Sequence, residues 1–361
     1  MFLPGALIAL ALLLILSYWH LRHWGLAVLA VIAPLTGAVG GTFLMSSFQP
    51  FAYLAGFIAA SFLASAIAAA TAAGRTTFLR EAFVTFGFPL LCGFLLMGLS
   101  PFTALIGTHV QTLPHVFLAA LSVAACFASA IVLLPAGALV LRYGENFVTR
   151  ANRAREDRAR WLASLDAVTQ PRWGMSFSGI ALIFSVLGYF GLRNSGNFTV
   201  GGSPLRLVAE AFLILAIAYL AARNFRRALA VLLALVPVVL VSAWLLAKAG
   251  SWPAPTDLLL ALGLMAMPVL VMAGRASAFE RQGHSPAVAT VRALEQNGAT
   301  ILAASLAAGL AVALSYGYAD PVEGFGVLLG GIAALVLQPA LTTAFYALFP
   351  KRVSLDAYRL R

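Results

Sequence analysis

Long apolar stretches recur along the whole chain, and short segments with polar, charged, Gly or Pro residues separate them. A stretch of about 18 or more apolar residues can cross the ~30 Å hydrocarbon layer of a membrane as one helix. A membrane β-barrel would instead alternate apolar and polar residues, whereas these segments are continuous Ala, Leu and Val runs. The pattern predicts an all-α, polytopic transmembrane bundle of about 11 spans, near residues 3–19, 26–48, 51–73, 83–106, 115–141, 174–192, 205–222, 228–248, 257–274, 298–317 and 322–349.

Composition leads to the same class of protein. Of the 361 residues, 62% are hydrophobic and only 10% are charged, and the mean hydropathy is +0.95. A soluble domain carries roughly a quarter charged residues, so this chain cannot cover its surface with polar side chains. We therefore expect lipid to surround the bundle, and membrane lipids to be its first partners.

The basic residues are distributed unevenly between the two sides of the predicted bundle. If the N-terminus lies outside, the alternating loops place all but three of the 23 Lys and Arg residues inside, the exceptions being Arg193, Arg206 and Lys248. Cytoplasmic loops of membrane proteins carry such an excess, so the net charge of +11 reflects topology and does not indicate nucleic-acid binding. We expect a multi-pass protein of a bacterial inner membrane with a cytoplasmic C-terminus.

The longest polar linker, residues 142–173, divides the predicted spans into two groups. Its apolar side chains, such as Phe147 and Leu165, lie close to one face of a helix, which is typical of an amphipathic helix on the inner leaflet. A solvated linker helix fits the same pattern. The candidate contacts with the membrane surface or a partner are Arg150, Arg153, Arg155, Arg160 and Trp161.

Three sequence matches relate the two groups in the same order, at offsets of 203, 200 and 204: Leu26–Pro34 with Leu229–Pro237, Ala72–Arg75 with Met272–Arg275, and Val132–Ala136 with Val336–Ala340. Such order predicts a parallel repeat about an axis along the membrane normal, which is typical of transporters. The predicted repeats are residues 1–141, with five spans, and 174–350, with six. Residues 351–361 form a cytoplasmic tail, and the first repeat lacks a counterpart of span 174–192.

The second repeat contains four short motifs in this order: Leu262–Leu264, Gly298–Ile301, Phe325–Gly326 and Leu337–Leu341. Their pattern resembles the RND superfamily, and within it the MMPL-type exporters of lipids and polyketides. The resemblance covers nearly all of the chain. It implies an RND-like bundle that takes part in the export of a lipidic or polyene-like hydrophobic molecule.

Three departures from the family's pattern change what the resemblance implies. Met267 stands where the family has its proton-relay aspartate, and the matching span 51–73 carries no charged residue. The family also inserts a large extracytoplasmic domain after the first span of each repeat. Here the second repeat has only residues 193–204 at that place, and the first repeat has neither the span nor the domain. An exporter of this kind needs a periplasmic or membrane partner subunit, or a different route of energy coupling.

The alternative function is a non-transporting membrane scaffold that anchors biosynthetic enzymes, with residues 142–173 as the contact. The sequence contains no GxxxxGK[ST], HExxH, GxSxG or CxxC motif, so nucleotide hydrolysis, zinc-peptidase and esterase chemistry have no support. We therefore predict that the chain is not an enzyme and holds no catalytic site, cofactor or metal.

Glu210 is the sharpest candidate functional residue. It lies one to two turns inside the span that begins near Leu205, where a carboxylate is costly unless it is protonated, paired or next to water. One hypothesis is a proton or headgroup site near the outer leaflet. The other is an interfacial ion pair with Arg206, which precedes it by one turn of the same helix.

Two GxxxG pairs, Gly37 with Gly41 and Gly326 with Gly330, predict places where helices approach closely.

Overall fold

In the computed structural model of the chain, the described residues are 3–45, 50–72, 78–103, 105–106, 113–140, 170–194, 204–249, 255–314 and 321–348. They form the α-helices α1 (Leu3–Leu21), α2 (Trp24–Met45), α3 (Pro50–Ala72), α4 (Phe78–Thr103), α5 (Leu113–Val140), α6 (Pro171–Asn194), α7 (Pro204–Ala222), α8 (Phe225–Ala249), α9 (Pro255–Arg281), α10 (Pro286–Leu314), α11 (Pro321–Ile332) and α12 (Gln338–Leu348). A π-helical turn, Ala333–Leu337, joins α11 to α12. Six of these helices begin at proline, whose fixed φ suits the first helical position.

The predicted all-α membrane fold is confirmed. Within the described ranges, nine helical segments are long and apolar enough to cross a membrane, and α11 with α12 forms one of them. The other two predicted spans correspond to α1 and α7, which contain the shorter apolar stretches Leu7–Leu21 and Val208–Ala222. We call α1–α5 the first half and α6–α12 the second half.

The turns that join α1 to α2 and α7 to α8 have the same backbone conformation. Arg22 (φ 53°) and Arg223 (φ 50°) lie in the left-handed region, which ends a helix at the cost of some strain for a residue with a Cβ. Their N–H groups donate to the carbonyl oxygens of Tyr18 and Tyr219, at 2.7 and 2.6 Å. The matching residues are 201 positions apart, which supports the predicted duplication. We call the end of the bundle at these two turns the arginine-rich face.

The next residue of each turn caps the following helix. His23 accepts the N–H of Leu26 at Nδ1, and Asn224 accepts the N–H of Arg226 at Oδ1, both at 3.1 Å. Burial lowers the pKa of His23, which favours the neutral imidazole that this acceptor role requires.

In the structure, corresponding residues at these turns are 201 positions apart; we call this correspondence the structural register. It differs by two positions from the offset of 203 that the Leu26–Pro34 match predicts. The left-handed turn fixes the offset at 201, whereas runs of Ala, Leu and Val carry little register information. In the structural register, Leu26 of the first half corresponds to Arg227 of the second, and both are fully buried.

The two halves interlock across the centre of the bundle. Helices α3 and α9 are the most enclosed, with 83% and 89% of their spans buried inside the protein. Helix α1 packs against α10, and α7 packs correspondingly against α4. Each half therefore supplies a helix that lies against the other, and the contact pattern supports a duplicated arrangement. The boundaries of the predicted repeats stay predictions.

Helix α6 is the element without a counterpart in the described part of the first half. It packs on α8 and α12 at the edge of the bundle, and only 17% of its span is buried.

In the first half, α2 and α5 pack closely against each other. Gly37 lies against the backbone of Ala125, Gly41 against Ser122, and Gly330 of the second half against the backbone of Met265. The close approaches predicted from the GxxxG pairs are therefore present.

Two helices extend farther at the arginine-rich face than predicted. Helix α9 continues to Arg281, and α10 begins at Pro286, whereas the predicted spans end at 274 and begin at 298. Hydropathy locates the apolar part of a helix only, and these extensions carry polar residues such as Glu280 and Thr290.

Candidate functional site

Glu210 lies at the contact between the two halves, near the end of the bundle opposite the arginine-rich face. It projects from the second turn of α7 toward the last turn of α4, and its side chain is only 4% exposed. Ser100 Oγ donates to Glu210 Oε1 at 2.6 Å. Thr103 Oγ1 lies 2.9 Å from Oε2. The sequence identified Glu210 as a candidate functional residue. It did not indicate that the hydrogen-bond partners of Glu210 come from the other half of the chain.

The hydrogen bonds of Thr103 indicate which form of Glu210 this site holds. The Thr103 hydroxyl also contacts the carbonyl oxygen of Ser100, at 2.8 Å, and a carbonyl can only accept. A threonine hydroxyl has a single proton to donate. Each contact is a full hydrogen bond when Glu210 is protonated on Oε2 and donates to Thr103, whereas an ionised Glu210 would have to share the one Thr103 proton with the Ser100 carbonyl. This site therefore accommodates a neutral carboxylic acid.

The other predicted site residues do not join this cluster. The side chain of Arg206 lies outside what the structure describes, so the ion pair with Glu210 stays a prediction. The predicted surface contacts Arg150, Arg153, Arg155, Arg160 and Trp161 also lie outside the described residues.

Met267, the residue at the predicted relay position, is fully buried. It packs across to α4, where a Cβ on Gly93 would lie 3.0 Å from its Cγ. Met267 thus fills the centre of the bundle as an apolar packing residue.

A buried polar cluster that the sequence reasoning missed lies at the arginine-rich face. Arg227 of α8 is 0% exposed, and its Nη2 donates to Glu280 Oε1 of α9 at 2.9 Å. The same nitrogen contacts Thr290 Oγ1 and the carbonyl oxygen of Pro286, both on α10. Asn224 donates to Glu280 Oε2 and to the hydroxyl of Tyr346. The cluster joins α8, α9, α10 and α12, which indicates a structural role.

A second missed group is His20, which lies just beyond the predicted span 3–19. Its imidazole is 8% exposed. His20 Nε2 lies 3.1 Å from Thr300 Oγ1, and Ser65 Oγ lies 2.8 Å from the same oxygen. These residues come from α1, α10 and α3, so they also connect the two halves. Among the described residues, no group of three or more His, Cys, Asp or Glu side chains is arranged to hold a metal ion.

Comparison of sequences gives no relative: no family model matches the chain, and no curated protein matches it. Solved structures do resemble it. SecDF from Thermus thermophilus, a translocon-associated membrane protein, is similar with a TM-score of 0.66 at 13% identity, over 97% of this chain. SecDF in its super-membrane-facing form is similar with a TM-score of 0.59 at 14% identity, over 99% of this chain.

This likeness shows the fold: the chain is a bundle of membrane helices similar to that of SecDF. It does not distinguish the MMPL type. The chain spans 62% of the length of each of the two SecDF chains.

Proposed function

We propose that the chain is a membrane transporter component that moves a lipidic or polyene-like hydrophobic molecule, and that Glu210 takes up and releases a proton as the two halves move. The observation that carries the proposal is the buried carboxyl group of Glu210, held by hydroxyls of the opposite half. Ionisable groups within a bilayer are costly and rare, and they typically mark transport routes or proton relays. The RND-like fold supports a transporter-like role.

Movement between the halves would act directly on this site. Ser100 and Thr103 belong to α4, whereas Glu210 belongs to α7, and these two helices pack against each other. A small displacement of α7 from α4 would remove both hydroxyl contacts at once. Water could then reach the carboxyl group and accept its proton, because an ionised carboxylate needs either such solvation or new donors. In transporters, relative motion of the repeats is the usual basis of alternating access.

The proposal includes a partner. The chain spans 62% of each SecDF chain, and we expect a periplasmic or membrane subunit to supply further surface for the transported molecule. The bacterial inner membrane is the proposed location, with the arginine-rich face in the cytoplasm, because positively charged residues favour that side.

Glu210→Gln is the variant that tests the proton role. Glutamine reproduces the neutral acid, because its Oε1 can accept from Ser100 while its Nε2 donates to Thr103, but it cannot release a proton. We expect the melting temperature to stay unchanged while export falls below about a tenth of the wild-type level. The measurement is the amount of lipid in the outer leaflet of a deletion strain that expresses each variant.

Glu295→Gln serves as the matched control, since Glu295 is exposed on α10 and we expect full export from this variant. Full export by Glu210→Gln would reduce Glu210 to a packing residue and refute the proton role. A normal lipid distribution in the deletion strain itself would refute lipid export.

A further inference from the structure

His20 belongs to a hydrogen-bonded chain that crosses between the halves. Its Nε2 lies 3.1 Å from Thr300 Oγ1, and Thr300 Oγ1 lies 2.8 Å from Ser65 Oγ. Helix α1 of the first half carries His20, and α10 of the second half carries Thr300. This contact between α1 and α10 is the counterpart of the contact between α7 and α4 that holds Glu210. Glu210 lies toward the face opposite the arginine-rich face, whereas His20 lies one turn or less from the latter.

This chain of groups can serve both protonation states of the imidazole without moving any heavy atom. With His20 neutral and its proton on Nδ1, Thr300 donates to Nε2 and accepts from Ser65. With His20 protonated on both nitrogens, Nε2 donates to Thr300, whose hydroxyl then donates to Ser65. Hydroxyl groups are both donors and acceptors, so rotation of two O–H bonds is sufficient. An ammonium in place of Thr300 could only donate and would favour the neutral imidazole.

A small cavity lies beside the imidazole. Its space is about that of a single water molecule, and its walls include the polar residues Ser17, His20 and Ser61 and the apolar residues Phe57, Ala303 and Ala304. The Ser17 hydroxyl is buried and lacks a hydrogen-bond partner within the described residues. Buried water typically occupies sites with two or more such polar groups, and a water here would give a proton a path to His20.

The described ionisable groups on the helices around His20 make contacts of their own. On its own helix and the turn that follows, Tyr18 stacks on Trp24 and Arg22 lies over Trp19, while His23 caps α2. Tyr53 of α3 donates to the Val31 carbonyl near the other end of the bundle. On α10, Arg292 contacts His284, and both Arg292 and Glu295 are exposed. Apart from His20 itself, the polar side chains in the cavity wall and in the hydrogen-bonded chain are hydroxyls, which hydrogen-bond to either form of the imidazole.

We propose that His20, Thr300 and Ser65 form a reversible proton-binding site near the arginine-rich face, and that it acts with Glu210 as the second of two proton sites in the transport cycle. This inference rests on the proposed function for its role in transport, whereas reversible proton binding by His20 is independent of that function. Because the site joins α1 to α10, gain of a proton would act on a contact between the halves, as proposed for Glu210.

The direct test is a pH titration of the histidines in the full-length protein in lipid nanodiscs, followed by nitrogen NMR of ¹⁵N-labelled imidazoles. We expect one resonance that titrates between about pH 5 and 8 and is missing from His20→Gln. Thr300→Val, which removes the central hydroxyl, should move the midpoint of this titration by about one pH unit. Thr36→Val and His115→Gln are the matched controls, since both side chains are exposed, and the His20 signal should titrate normally in them.

A His20 imidazole that keeps one protonation state throughout this pH range would overturn the inference. The assignment does not depend on the folding of His20→Gln alone, because Thr300→Val identifies the same resonance. Export by His20→Gln is then measured beside Glu210→Gln. Normal export by His20→Gln with impaired export by Glu210→Gln would overturn the transport role of His20 and leave the proposed function intact. A His20 that titrates in a protein whose deletion leaves lipid export normal would instead overturn the proposed function.

Discussion

Replacing Glu280 with alanine is expected to destabilise the folded protein by about 3–5 kcal/mol, because removal of one partner leaves a buried charge unpaired. Arg227 is 0% exposed and pairs with Glu280 at 2.9 Å. Its other hydrogen-bond partners, Thr290 and the Pro286 carbonyl, are neutral acceptors at 3.2 and 3.3 Å, and the Tyr346 ring, 5.9 Å away, is also neutral. They cannot replace a carboxylate for a guanidinium that has no access to water.

The measurement is thermal or denaturant unfolding of the purified protein in one detergent. Glu295→Ala is the control, since Glu295 is exposed on the neighbouring helix and its loss should change the free energy of unfolding by less than about 0.5 kcal/mol. An equally small effect of Glu280→Ala would show that the Arg227–Glu280 pair contributes little.

The first half of the chain suggests how to rescue this variant. At the position of Arg227, the first half has the buried Leu26, so the bundle accommodates an apolar side chain there. We expect Arg227→Leu combined with Glu280→Gln to recover most of the lost stability, since apolar residues can replace a buried ion pair with little or no loss. Additive losses from the two single changes would contradict this interpretation of the structural register.

The positions of the helices along the chain were predictable because they depend on long apolar runs, which hydropathy detects directly. The register of the repeat was harder to predict. Leu26–Pro34 matches Leu229–Pro237 at an offset of 203, but the left-handed residues Arg22 and Arg223 set the offset at 201. The register could have been read from the two turns, which have the sequences Arg-His-Trp (22–24) and Arg-Asn-Phe (223–225). Each combines a residue that ends a helix, a residue that caps the next helix and an interfacial aromatic residue.

The candidate sites were predictable only in part. Glu210 could be found from its depth in an apolar segment, since a charge there needs an explanation. Its partners Ser100 and Thr103 could not, because they are more than 100 positions away and small hydroxyl residues are common in membrane helices. His20 could not be found either, because it lies just beyond the predicted span 3–19, whereas packing of α1 against α10 buries its imidazole. Contacts between halves are a property of tertiary packing, which periodicity does not reveal.

Gly37→Ala is expected to destabilise the first half by about 1–3 kcal/mol, the usual cost of overpacking a tight contact. A Cβ at Gly37 would collide with the carbonyl group of Ala125 and the Ser129 hydroxyl on α5. Because a backbone carbonyl cannot rotate away as a side chain can, α2 and α5 would have to separate. In the second half, α6 packs on α8 and α12 and adds to the contacts of these helices. The described part of the first half has no such additional helix, so the direct contact between α2 and α5 is more important there.

Gly40→Ala is the matched control for this contact, three residues away on the same helix. A Cβ at Gly40 would meet nothing within 4 Å, so the variant should gain up to about 1 kcal/mol from the better helix propensity of alanine. The two variants differ only in where one methyl group is added, and their melting temperatures should therefore move in opposite directions. If Gly37→Ala were as stable as Gly40→Ala, the close packing of α2 on α5 would not be what holds the first half together.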